Sequence, residues 1–255
     1  MKDKLKAFER LLNIMDDLRE QCPWDKKQTI DTLRNLTIEE TYELSDAIMK
    51  KDFPNIKEEL GDIFLHLVFY SKIAEEKNEF NVKDVLNDVC DKLIHRHPHI
   101  YGDVKADTEE EVLKNWEKLK LKEGKKSVLE GVPSSMPAIN KAYRMQEKTA
   151  KVGFEWDTLA QVWDKVEEET IELKEAVESK NIDEIEAEFG DLFFALINYA
   201  RFLKIDPEAA IEKTNIKFKK RFEFIEKTAK NKNKELDEMS LEEMDDIWNQ
   251  AKKTI

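Results

Sequence analysis

At 255 residues with six glycines and six prolines, the chain has room for one or two packed domains. Its abundant Glu, Lys, Leu and Ala and few β-branched runs give the composition of an all-α protein. A formal charge of −13 opposes binding to a nucleic-acid polymer, because polyanion affinity rests on basic residues that release counterions, but it leaves room for a small anion arriving with a divalent cation.

Apolar residues recur at steps of three and four, predicting helices over 3–20, 28–51, 55–76, 82–97 and 108–123, then 138–151, 158–179, 182–204, 207–229 and 240–253. The first of these, in MKDKLKAFERLLNIMDDL, is amphipathic and too charged for a signal-peptide core. No apolar stretch approaches the length of a membrane span, so a cytoplasmic protein with no membrane partner is expected. Cys22 and Cys90 stand apart without a CxxC pattern and read as reduced thiols. Start signals are Asn81, Asp206 before Pro207, and Ser240 with Glu243 as a capping box. Gly124 to Ser127 and Gly131 to Pro137 interrupt the periodicity, which sets domains at 1–123 and 138–255 around a linker at 124–137. After Asp62 and Asp191, the runs 63–70 and 192–199 are apolar nearly all round and should be buried against each other or a second subunit.

An acidic motif occurs twice within this frame. Glu39, Glu40 and Glu43 with Glu59 and Asp62 recur as Glu168, Glu169 and Glu172 with Glu188 and Asp191, each 129 residues later, and so does the glycine before each aspartate. A duplicated helical unit is the natural reading. Helical spacing sets the carboxylates of EExxE on one face and those of ExxD on another. A single acidic run is usually a solvated face, but ExxD opens the most apolar helix of each half, where an uncompensated carboxylate is costly. Oxygen-only ligands without paired His or Cys suit Mg²⁺ or Mn²⁺ rather than zinc, and Mg²⁺ characteristically bridges carboxylates to phosphates.

Two further pairs recur. Lys92 with Arg96 and Lys217 with Arg221 each share a helical face; either they are solvated or they contact an anionic tail. Trp24-Asp25 and Trp156-Asp157 lie in loops before the acidic helices. Each tryptophan is either a core plug with the aspartate as helix N-cap, or a platform for a base with the aspartate near its edge. His66 reads as a core or interfacial histidine, and His97 and His99 straddle a helix-ending proline that argues against zinc. A di-iron bundle would need Glu-x-x-His, which is absent, and neither a P-loop nor a Rossmann glycine pattern occurs. A nucleotide-sensing module without turnover is the non-enzymatic alternative.

The order WD, EExxE, ExxD, KxxxR, repeated in tandem with Cys22-Pro23-Trp24-Asp25, His95 to His99 and Lys151 to Trp156, resembles the MazG family of nucleoside triphosphate pyrophosphohydrolases. The resemblance implies two related helical-bundle domains intertwined in a homodimer, Mg²⁺ dependence, and hydrolysis of a nucleoside triphosphate to monophosphate and pyrophosphate with broad, house-cleaning selectivity. Carried over by position, it gives Glu40, Glu43, Glu59 and Asp62 as metal ligands with Glu39 activating water. In the second repeat Glu169, Glu172, Glu188 and Asp191 take the metal and Glu168 the water, and this set ranks first. Lys217, Arg221, Lys92 and Arg96 would hold the leaving phosphates.

Overall fold

A computed structural model describes residues 1–106, 108, 111–112, 115–116, 119 and 127–254. Among the described residues every regular element is helical. The chain divides into two compact units, Met1–Val112 and Leu113–Ile255. Most of the helix expected at 108–123 lies outside the described residues.

In the first unit, α1 (Lys2–Gln21) leads through a 3-10 turn at Asp25–Lys27 to α2 (Ile30–Lys50) and α3 (Phe53–Glu76), followed by α4 (Val82–Arg96) and the short α5 (Pro98–Tyr101). Helices α2 and α3 form a hairpin, and α1 lies on α3. Met15 of α1, Leu33 of α2 and Val68, Phe69 and Ile73 of α3 make the core, with Phe8, Leu11 and Leu12 packed against it. Burying five such side chains stabilises the unit by roughly 1.5–3 kcal/mol each before chain entropy is counted. Two ion pairs fix α1 along α3: Arg19 with Glu76, and Lys72 with Asp16 at 2.6 Å.

Among its described residues the second unit repeats this plan of a first helix on a hairpin, followed by two further helices. Helix α6 (Ala138–Ala150) lies on α8 (Ile182–Phe202), which forms a hairpin with α7 (Leu159–Ser179). Helix α9 (Pro207–Asn231) pairs with α10 (Leu241–Thr254) through Ile225, Ala229, Met239 and Ile247. Turns at 127–137 precede α6, and the buried Lys148 donates to the carbonyls of Val128 (3.0 Å) and Glu130 (3.3 Å).

The duplication extends to backbone punctuation. Thr29 and Thr158, 129 residues apart, cap α2 and α7, each accepting from the N–H three residues on (Thr32 and Gln161). Both helices end on a left-handed lysine, Lys51 (φ 56°) and Lys180 (φ 60°), so the hairpin turn itself is repeated. Asn81, Asp206 and Ser240 cap their helices as expected.

One alternative offered by the sequence fails. Neither Asp25 nor Asp157 is an N-cap, because the threonines four and one residues later have the extended backbone and the reach to N3. The runs 63–70 and 192–199, expected to be buried against each other or a second subunit, each keep an apolar stripe exposed in the single chain. Leu60, Phe64 and Leu67 of α3, and their counterparts Phe189, Phe193 and Leu196 of α8, are 40–54% exposed. Steps of four and three put each trio on one stripe, opposite the face that the rest of the unit covers.

Candidate active site

Hairpin formation brings the two halves of each acidic motif together. Glu40 and Glu43 come from α2 and Glu59 from α3, with carboxylate oxygens all within 4.8 Å of one another; Glu169 and Glu172 of α7 and Glu188 of α8 repeat the arrangement. Desolvation, then the charges of Asp62, Glu43, Glu59 and Glu39, push the Glu40 carboxyl above its ordinary value. Glu59 is raised by desolvation and by Glu43 and Asp62, and Glu172 by desolvation and by Glu169 and Glu188. Asp62 therefore belongs electrostatically to the first cluster. Glu39 and Glu168 stand on its exposed flank and on that of the second cluster. Such groups repel unless a cation joins them, and an all-oxygen donor set fits a hard divalent ion.

The clusters differ in their surroundings. In the second, Lys165 bonds Glu168 at 2.8 Å and Glu169 at 2.7 Å, and Glu169 is only 6% exposed. The first repeat carries Leu36 at the corresponding position, packed on the core, and there the charges that raise Glu40 and Glu59 are all carboxylates. Beside the second cluster opens a cavity of about 580 Å³. Glu169, Asp191 and Lys165 line it, with Phe154, Trp156 and Phe194 as aromatic walls and Gln146, Asn198 and Arg201 as further polar groups. Its size is that of a small-molecule site. Arg201 is anchored by Glu155 at 2.5 Å and donates to Asn198 Oδ1.

The remaining candidates fall on either side of this picture. Trp156 lines the cavity and Trp24 is 56% exposed, so neither tryptophan is a core plug. Asp25 is buried, and its carbonyl accepts from Arg19. Asp157 lies beside Trp156, its N–H bonded to Gln161 Oε1 at 3.1 Å. Lys217 and Arg221 lie on α9 and do not line the cavity; the Arg221 guanidinium sits 5.5 Å from the Trp248 ring centroid in the α9–α10 pair. Lys92 and Arg96 lie on α4. His66 is buried, with its pKa lowered by desolvation, as a core histidine should be.

Sequence reasoning missed Lys165, Gln146, Asn198 and Arg201. Lys165 stands three and four residues before Glu168 and Glu169, a spacing that reads equally well as a surface pair. Asn198 was signalled by being the polar residue inside an otherwise apolar run.

Among the described residues no helix is long and apolar enough to cross a membrane. The model of the MazG nucleotide pyrophosphohydrolase domain matches twice, at residues 28–101 and 158–225, spanning both hairpins. The chain is 40% identical, over 98% of each sequence, to the nucleoside triphosphate pyrophosphohydrolase of Escherichia coli K12. It is 42% identical to the nucleoside triphosphate pyrophosphohydrolase/pyrophosphatase MazG of Thermotoga maritima, over 99% of this chain and 98% of that one. A third relative, the uncharacterized YabN of Bacillus subtilis, is 45% identical over 97% of this chain and 52% of its own. A repeat visible in caps, hairpins and carboxylate clusters thus coincides with a family domain found twice, and the chain belongs to the MazG nucleotide pyrophosphohydrolase family.

Proposed function

We propose that this protein hydrolyses nucleoside triphosphates to the monophosphate and pyrophosphate, using Mg²⁺, or Mn²⁺ in its place, with broad house-cleaning selectivity. The observation that carries the reading is the convergence of Glu169, Glu172 and Glu188 within 4.8 Å, with Glu169 facing a cavity that Trp156 also lines. The names of the E. coli and T. maritima relatives support the same activity. Glu169, Glu172, Glu188 and Asp191 would hold the cation, and Glu40, Glu43, Glu59 and Asp62 a second one in the first repeat. Bound there, it would neutralise phosphate charge and lower the pKa of a nearby water.

The chain's own groups then divide the work. Glu168, held by Lys165, accepts the proton of the water that attacks the α-phosphorus; the bond to the bridging oxygen breaks and pyrophosphate leaves. Glu39 has that part in the first repeat. Trp156 with Asp157, and Trp24 with Asp25, receive the nucleoside. Lys217 and Arg221, and Lys92 with Arg96, take the leaving phosphates, which asks Arg221 to leave the Trp248 ring.

The repeated apolar stripe on α3 and α8 supports a homodimer that covers it. Within this reading the domains run 1–123 and 138–255 about a linker at 124–137, and the protein works in the cytoplasm without nucleic-acid or membrane partners. Alanine at Glu172 or Asp191 is expected to abolish turnover by the second repeat, the set that ranks first, while leaving the helical content intact. Retained activity in a variant lacking both Glu43 and Glu172 would sink the assignment.

A further inference from the structure

The cavity beside the second cluster contains two carboxamides whose orientation the protein fixes. Gln146 is 7% exposed, and its Nε2 donates to the Phe194 carbonyl at 2.8 Å. A carbonyl only accepts, so the nitrogen must face Phe194 and Oε1 is the atom left over. That oxygen is buried and has no hydrogen-bond partner among the described residues. Asn198 is fixed in the opposite sense. Its Oδ1 accepts from Arg201 Nε (3.1 Å) and Nη2 (2.8 Å), and a guanidinium only donates. The same Nη2 also donates to Glu155 Oε1 at 2.6 Å, which holds the guanidinium in place. Nδ2 of Asn198 makes no hydrogen bond among the described residues.

A buried oxygen left without a donor is costly; it is closed to solvent here, but its side chain lines the cavity, so a small shift of the amide on binding would bring the oxygen to a ligand donor. The walls beside these amides are Phe154, Trp156 and Phe194, flat apolar surfaces suited to a ring. At about 580 Å³ the cavity is too roomy to select by size alone, which leaves the polar edge as the discriminator. The first repeat has no such edge, because buried Phe69 occupies the position 129 residues before Asn198.

We propose that Gln146 and Asn198 read the hydrogen-bonding edge of the nucleobase, Gln146 Oε1 accepting from a base N–H and Asn198 Nδ2 donating to a neighbouring ring nitrogen or carbonyl oxygen. The inference rests on the hydrolase reading and deepens it. The site takes any base that presents an N–H beside an acceptor, and it rejects a base with no N–H to give.

The test compares inosine triphosphate, whose ring N–H is intact, with purine riboside triphosphate, which has none, on the otherwise wild-type protein and on Gln146→Leu, both carrying Glu43→Ala to silence the first repeat. With Gln146 intact the protein should favour the inosine nucleotide by roughly tenfold to a hundredfold in kcat/KM, mostly through KM, because the analogue leaves Oε1 unpaired. Gln146→Leu should bring the inosine nucleotide down to the level of the analogue with kcat little changed. Equal use of the two nucleotides with Gln146 intact overturns the inference whatever the variant does, and so does discrimination that survives in a folded Gln146→Leu. Failure of wild type to hydrolyse either would refute the hydrolase reading and take this inference with it.

Discussion

Lys165 is the test of how the second cluster is held together without metal. Its ammonium lies 2.8 Å from Glu168 and 2.7 Å from Glu169, bonds that raise its own pKa, Glu168 contributing most. The sign is plain: a lysine whose folded pKa is raised contributes its full stabilisation below the unfolded value of 10.5, and so at neutral pH. Lys165→Met keeps the stem and removes the charge. The bond to exposed Glu168 is worth up to about 1 kcal/mol. The bond to Glu169 matters more, because that carboxylate is largely buried and would face Glu172 and Glu188 with no counter-charge. Discounted for the partial exposure of Lys165 itself, the loss is roughly 1–3 kcal/mol, or about 3–10 °C in the melting of the second unit. Differential scanning calorimetry in EDTA would measure it. Repeating the scan with millimolar Mg²⁺ should recover most of the loss, since a bound cation takes over the neutralising role. An equal loss with and without Mg²⁺ would refute the idea that lysine and metal serve the same carboxylates.

Other consequences can be checked separately. Glu40, Glu59 and Glu172 have raised pKa values without metal, so the folded protein binds more protons than the unfolded one from pH 4.5 up to those values, and metal-free stability falls as pH rises through that window. Mg²⁺-induced stabilisation should grow over the same window, and a pH-independent Mg²⁺ effect in thermal-shift assays would contradict it. Replacing Thr158 with Ala should cost about 1 kcal/mol through loss of the α7 cap, read as a lower urea midpoint with unchanged m. Aspartate at both Phe64 and Phe193 should shift a dimer toward monomer in sedimentation while leaving helical content intact; unchanged sedimentation would remove the stripe from the interface.

How much of this was legible in the sequence depended on range. The carboxylate pairs were legible because helical spacing fixes faces within a helix, and the shared 129-residue offset showed that both halves of each motif belong to one unit. The caps at Thr29 and Thr158 repeat at the same offset, yet the aspartates four and one residues before them are equally good caps by type and only backbone geometry separates them. The cavity was illegible for a different reason. Gln146 meets Phe194 and Arg201 meets Glu155 across 48 and 46 residues, and no periodicity within one helix encodes such a meeting. What covers the α3 and α8 stripes stayed open between the other half and a second subunit, because an apolar face looks the same in sequence whether its cover comes from its own chain or from another.

The proposed reaction is α,β cleavage of a nucleoside triphosphate at a metal-carboxylate site. Ion-exchange analysis of the products from ATP, GTP, CTP, UTP, dUTP and dITP, with Mg²⁺ or with EDTA, tests it most directly. Monophosphate and pyrophosphate are expected only when metal is present; diphosphate and phosphate, or binding without turnover, would overturn this.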